Sequence, residues 1–551
     1  MKNYKLLITI TLLMLSSAIF AQTNDDCMAC HEDPELIVER DGKEVSMMVN
    51  VDFMTMSVHE EFDCVMCHED ADNEDFPHAD GLVKLQKVNC GVCHDDYQEL
   101  FDMGVHGMPT KTDLPRPDCK SCHGGHMILN SSNEQAKTHK VNIPNLCAEC
   151  HGDLVDTYKD TYHGKAYALG HENAPNCLDC HGSHNVYKAE NPESMVGDNH
   201  RLETCKQCHP KANEAFTNYM THATHHDHAA LNFTYWFMTI LLLSVFVFFG
   251  IHTLLWLPKS LKRRKKINHE VTPGPKKYYR RFNKRQRFTH LLIIISFLLL
   301  ALTGMTLKFA HMPWANWIAH NILGSVETSN LIHRIAAVVT FGYFFFHLLT
   351  LFQLRAKVKK NWKEFLFGNN SLWFGKHDWY EMVASVKWFL GKGPRPQYRR
   401  WTYWEKFDYL AVFWGVAIIG LSGLILWFPE FFTTFLPGWV INVAQIVHSD
   451  EALLATGFIF TIHFFNTHLR PEAFPMDTVI FTGHVPVDEY LEDRPGEHEI
   501  LKEEGRLEKV IVEKEFKKWW LVAIKIFGYT ALAIGVIIIG LIVYSIIVSG
   551  I

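Results

Sequence analysis

Residues 177–184 read Cys177-Leu178-Asp179-Cys180-His181-Gly182-Ser183-His184. Two cysteines three apart, with a histidine directly after the second, form the attachment sequence of c-type haem: the thiols make thioethers to the porphyrin and the histidine binds the iron. Outward from this stretch the same pentapeptide recurs at Cys27/Cys30/His31, Cys64/Cys67/His68, Cys90/Cys93/His94, Cys119/Cys122/His123, Cys147/Cys150/His151 and Cys205/Cys208/His209. The seven motifs use all 14 cysteines of the 551-residue chain. A disulfide framework has no reason to place His after every second Cys, and paired zinc half-sites normally use an even number of motifs. Seven covalent c haems are therefore expected, in a chain that carries electrons.

Each motif supplies one axial ligand, and a low-potential carrier normally has a second His across the iron. Seven histidines are placed to serve: His59, His78, His106 and His163 ahead of motifs, His126 and His184 three residues after a motif His, and His222 after the last motif. His139 is a reserve. Cys119–Met127 and Cys177–Val186 share Cys-x-x-Cys-His-Gly-x-His, which suggests a duplicated haem pair. Over roughly His59 to His222 the pattern resembles multihaem cytochrome c families in which His-Gly-Lys and Cys-His-Gly-x-His supply distal ligands.

Composition divides the chain. Residues 1–21 read as a signal peptide, with Lys2 and Lys5 before an apolar core. Residues 22–230 are polar and expected to be a loop-rich, almost sheet-free, exported seven-haem domain. Six later stretches match the roughly 20 apolar residues of a membrane helix: Leu231–Leu257, Phe288–Phe309, Leu331–Phe352, Phe407–Phe428, His448–His468 and Trp519–Val548. Lys259, Lys262, Arg263, Arg264, Lys265 and Lys266 make the 258–287 loop basic, and Gln353–Lys406 is basic too, so both are expected in the cytoplasm. Ala310–Asn330 and Pro429–Val447 lack Lys and Arg and fall on the other side. The charged 469–518 segment is read as a cytoplasmic, partly helical, stabilising tail, ahead of a last membrane helix over 519–548. The expected class is all-α: a multihaem cytochrome c domain, then a six-helix membrane bundle. The net charge of −7 averages two unlike halves and decides little.

Inside the 288–468 segment, His333 and His347 share one helix fourteen residues apart, close to four turns, so both project from nearly one face about 21 Å apart. His448 and His463 repeat the arrangement with one residue more. Ionisable residues inside a membrane are costly and usually functional, and two level-matched pairs suit two stacked b haems. The segment Arg285–His468 resembles the membrane cytochrome b subunits of formate dehydrogenases and nickel-iron hydrogenases. The likeness rests on Arg287-x-x-His290, Leu302-Thr303-Gly304, Ile332-His333, Ser422-Gly423, Trp427-Phe428-Pro429, His448 and His463. It implies an outer haem between His333 and His448 and an inner haem on His290 and His463. His347 departs from that family and fits the two-plus-two pattern of cytochrome bc complexes. The ligand opposite His463 thus stays open between His290 and His347, and the other becomes the quinol-site candidate.

Together these features resemble inner-membrane quinol:cytochrome c oxidoreductases of anaerobic or extracellular respiration. The expected cofactors are seven haem c, two haem b and menaquinone as substrate. The expected location is the bacterial inner membrane with the c haems in the periplasm. The expected partners are the quinone pool and a periplasmic cytochrome or redox enzyme, with no nucleic acid; a homodimer or larger complex is open. Two alternatives remain: a relay subunit passing electrons from a periplasmic dehydrogenase to quinone, and a terminal reductase of a nitrogen or sulfur compound, which needs one open iron.

Overall fold

The computed structural model describes residues 23–40, 42–71, 85–109, 116–171, 173–264, 276–358 and 362–549. The signal-peptide reading of residues 1–21 and the His78 candidate lie outside them. The fold is mostly helical, 65% helix and 4% strand. The chain divides into two compact units, Met1–Asp156 with Pro175–Cys208, and Thr157–Ala174 with His209–Ile551. This division departs from the compositional border near residue 230: segments 157–174 and 209–230 belong with the long helices.

In the first unit most motifs occupy a single helical turn. Cysteines at i and i+3 and His at i+4 then share one side. The turns start on Asp or Asn caps: Asn176 Oδ1 accepts from Leu178 N at 2.8 Å, Asp118 Oδ1 from Ser121 N at 3.1 Å and Asn89 Oδ1 from Gly91 N at 3.1 Å. After His123 and His181 the helix stops on glycines at φ 86° and 78° with ψ near 180°, a conformation essentially reserved for glycine. The chain then turns back, and Val58 N donates to Ile128 O while Val105 N donates to Val186 O, both at 2.8 Å. The duplication read in the sequence is thus a repeated backbone pairing. An antiparallel hairpin, β1 (Ile37–Arg40) with β2 (Lys43–Ser46), is the sheet present here.

Six helices of the second unit are long and apolar enough to cross a membrane. They are Ala229–Arg264, Lys284–Lys308, Val326–Val358, Tyr403–Trp427, Trp439–Phe458 continued to Leu469, and Lys518–Ser549. The fifth begins at Trp439, nine residues ahead of His448, so this histidine lies well inside the helix rather than at its mouth. Its last part is π-helical, Ile459–His463 and Phe465–Leu469. The wider turn absorbs the extra residue between His448 and His463. The second helix packs against the third, fifth and sixth, and the fourth against the third and fifth. Ala301, Met305, Phe460, Phe464, Leu532 and Ile538 fill the centre.

The bundle has a basic end and an opposite end. At the basic end, β3 (Lys276–Arg280) lies between β4 (His484–Pro486) and β5 (Ile511–Lys514), all antiparallel. The 469–518 segment is therefore a small α/β layer rather than a helical tail. Arg263 and Arg395 both reach Asp493, and Arg281 and Arg494 both reach Glu405, which ties this layer to the helices. At the opposite end the helix Tyr162–Ala168 buries Ala166 and Leu169 against Ala310, Ala315, Ala319 and Val326.

Candidate functional site: paired histidines

Among the described residues, six pairs of histidine rings lie close to 6 Å apart. Within the first unit the ring centroids are 6.1 Å apart for His59–His94, 6.3 Å for His68–His126, 6.3 Å for His106–His151 and 6.0 Å for His123–His184. Within the second unit they are 6.2 Å apart for His163–His209 and 6.2 Å for His333–His448. Two imidazoles bound to one iron through bonds of about 2 Å put their centroids roughly 6 Å apart. Five of the pairs join a motif His to one of the distal candidates. The sixth joins the third long helix to the fifth.

The pairings follow a rule that spacing alone did not disclose. His59, His106 and His163 each precede a motif, yet each faces the His of the next motif but one: His94, His151 and His209 rather than His68, His123 and His181. The skipped His68 and His123 face His126 and His184, which follow later motifs. His31 directs Nδ1 to Met47 O at 2.7 Å. His181 belongs to the first unit and His222, whose Nδ1 meets Thr157 Oγ1 at 3.0 Å, to the second.

Most motif cysteines meet a cysteine of the neighbouring motif. Side-chain hydrogen bonds join Cys27 to Cys64, Cys90 to Cys119 and Cys147 to Cys177, and Cys67–Cys93, Cys122–Cys147 and Cys180–Cys205 are close enough to interact electrostatically. Each motif thus borders the next. The sequence treats the two thiols of every motif alike, and at two motifs the structure does not. Cys30 and Cys150 stand outside this series of contacts, and both are exposed. In each case the reason is position. Cys30 ends the first motif, on the helix Asn24–His31, which buries no residue and has no motif before it. Cys150 stands directly before the kink at His151, so Cys147 alone carries that motif's contacts to both neighbours. As haem anchors these two thiols therefore take no support from an adjoining motif.

The first unit has little polypeptide core. Val51, Phe53, Met56, Phe62, Met66 and Val92 are all exposed, on loops or single turns.

These residues fit the haem that the motifs imply. Burial, with His209 beside it, holds His163 down to about 4. Burial likewise lowers His68, His106, His123, His126 and His184. A neutral imidazole keeps the lone pair that a metal needs. Ring nitrogens sort the histidines further. His333 directs Nδ1 to Thr303 Oγ1 at 2.8 Å, His448 to Ile419 O at 3.0 Å, His209 to Glu430 Oε1 at 3.3 Å and His463 to Asp408 Oδ2 at 2.9 Å. Such outer partners fix the tautomer and leave Nε2 for the metal. Glycines make room beside the bundle pair: a Cβ on Gly304 would lie 3.5 Å from the His333 ring and one on Gly423 2.9 Å from the His448 ring. Among the described residues no three His, Cys, Asp or Glu converge as a metal cage. A porphyrin, which fills four positions itself, asks the protein for only two.

The deeper histidines differ. His290 and His468 lie within electrostatic range of His463. His347 turns its Nε2 to the Tyr409 hydroxyl at 2.8 Å, and His252 turns its Nε2 to the Tyr403 hydroxyl at 2.5 Å. Arg287 donates to Phe481 O and Thr482 O, and the Arg334 guanidinium lies over Trp427. Sequence reasoning missed Glu430, Asp408, Thr303 and Tyr409. The Asp or Asn that opens most motif turns was visible and unread.

No family model, curated protein or solved structure matches this chain.

Proposed function

We propose that this chain is a membrane electron-transfer protein that oxidises quinol and delivers electrons to periplasmic acceptors. The observation that carries the reading is the set of six imidazole pairs at 6.0–6.3 Å, five on Cys-x-x-Cys-His motifs and one between two apolar helices. Seven haem c and two haem b, when bound, supply one-electron storage and transfer. The protein supplies thioether anchors, axial imidazoles and burial.

The six apolar helices and the basic loops support an inner-membrane location with the motif unit in the periplasm. His333 and His448 hold the outer b haem, with Thr303 and Ile419 O orienting them. His463, oriented by Asp408, holds the inner one with His290. This choice over His347 rests on ring nitrogens: the Nε2 of His347 is already committed to Tyr409. His347 and Tyr409 then form the polar couple available to a quinol. Quinol gives up two electrons and two protons, and the imidazole of His347 takes one proton as the hydroxyl bond breaks. The resemblance to cytochrome b subunits points the same way.

The test is pyridine haemochrome analysis combined with anaerobic menaquinol addition to the purified protein. The expected ratio of covalent to extractable haem is seven to two, with quinol reducing both kinds. A ratio of seven to none, or no reduction of any haem, overturns the reading.

A further inference from the structure

The seventh motif stands apart from the other six in its surroundings. Its two axial histidines, His163 and His209, both belong to the unit that contains the helix bundle. The helix carrying His163 is fastened to the bundle on several sides. Asn330 Nδ2 donates to Tyr162 OH at 2.9 Å, Gln445 Nε2 donates to Asp160 O at 2.5 Å, and Asn442 exchanges two hydrogen bonds with the Met220 backbone, at 3.1 and 2.8 Å. Gln445 stands one turn, about 4.5 Å of rise, ahead of His448 on the same helix. The chain passes within van der Waals contact at Gly438, where a Cβ would lie 2.4 Å from Ala215 O. Across this junction Glu430, which follows the fourth long helix, accepts a hydrogen bond from His209 Nδ1 at 3.3 Å.

We propose that the His163/His209 seat is the junction through which electrons pass between the bundle and the other six motifs, and that Glu430 is a positioning residue that sets the potential of that seat. The proposal rests on the electron-transfer reading above. A carboxylate on Nδ1–H gives the axial imidazole anionic character, which favours the oxidised iron and lowers the potential. Each transfer moves one electron from the His333/His448 seat to the His163/His209 seat, oxidising the first and reducing the second. No proton or bond need move. The remaining motifs border one another in sequence order, so the first motif becomes the far end of the line.

The experiment uses the full-length protein in lipid nanodiscs, with wild type, Glu430→Gln, Glu430→Asp and His163→Ala. In redox titrations Glu430→Gln is expected to raise one of the seven c potentials by about 59 mV, a tenfold change in the oxidised-to-reduced ratio at fixed potential. Paramagnetic resonance should show the low-spin signal of one c haem displaced. Glu430→Asp should restore both, and Asn442→Ala, which loosens the same junction without removing charge, should move neither. With menaquinol, His163→Ala should still reduce the b haems but slow c reduction at least tenfold, with one c haem turned high-spin. Unchanged potentials and signals in Glu430→Gln overturn the role of Glu430. Wild-type c reduction in His163→Ala overturns the junction. If menaquinol reduces no haem in wild type, the electron-transfer reading itself has failed.

Discussion

The motif unit and the helix bundle present the same device, two imidazoles about 6 Å apart, by opposite means. In the bundle, long helices hold His333 and His448, and a close-packed interior of Phe, Leu, Ile and Met exists without any cofactor. In the motif unit the histidines stand on single turns and loops, and few apolar side chains are buried: Leu129, Ala136, Ile143 and Val155 among them. A chain that buries so little cannot offset the entropy of ordering itself. The motif unit therefore depends on its prosthetic groups for a core, whereas the bundle does not. This difference orders the predictions.

The largest effect should come from withholding thioether attachment. Full-length protein made without haem attachment is expected to lose residues 23–208 to limited proteolysis while the six helices persist as a protected fragment. Equal protease resistance of the two regions would break the contrast. In the bundle, His333→Ala or His448→Ala should remove one b haem from two, with the helices intact by circular dichroism and the seven c haems retained. Full b content in both variants would refute the assignment of that pair.

Much of the bundle was legible in the sequence, because hydrophobic length and periodicity are local properties. All six long helices fall where the apolar stretches lie. The early start of the fifth, at Trp439, was missed because Asn442, Gln445 and Gly438 dilute its apolar character. The 469–518 layer was missed because its strands are only three to five residues long and pair with residues 276–280, far away in sequence. The histidines themselves were legible as candidates, since spacing around each motif is covalent. Their partners were not. His126 faces His68, across an intervening motif, and spacing carries no trace of that. Nor does spacing separate Cys30 and Cys150 from the thiols that meet a neighbouring motif, because that contact depends on where the chain brings the next turn. Glu430 and Asp408 are ordinary acidic residues until the fold brings them to His209 and His463.

The basic end sharpens the comparison further, through the ring nitrogens. His290→Ala should lose one b haem. His347→Ala and Tyr409→Phe should keep both haems yet slow quinol-driven reduction by roughly 10²-fold or more, the scale of a lost general base. Anaerobic stopped-flow with haem quantification separates the two outcomes. If His347→Ala loses the haem and His290→Ala does not, the inner ligand is reversed.

The smallest effect is a matter of stability and concerns Glu381, a buried carboxyl in the helix Lys376–Phe389 at the basic end. One oxygen accepts from Tyr403 N at 3.1 Å, and His377 lies 4.0 Å from the other. Burial pushes this carboxyl up to about 7; the Tyr403 amide and Arg494 pull it down, and Asp378 and Glu405 push it up. Asp378 itself is neutralised by Lys406 at 2.9 Å. Because the folded carboxyl holds its proton more tightly than the unfolded one, the folded state binds more protons between about pH 4.5 and 7. Stability must fall as pH rises through that window and level off above it. The cost at pH 8 is at most about 3 kcal/mol. Glu381→Gln keeps an acceptor for the Tyr403 amide and removes the titration. Thermal unfolding of the nanodisc-bound variant should therefore match wild type near pH 4.5 and exceed it at pH 8. Motif variants such as Cys64→Ser have no reason to share this pH profile. A Glu381→Gln protein that melts like wild type at both values would show that Glu381 is ionised in the fold at ordinary cost.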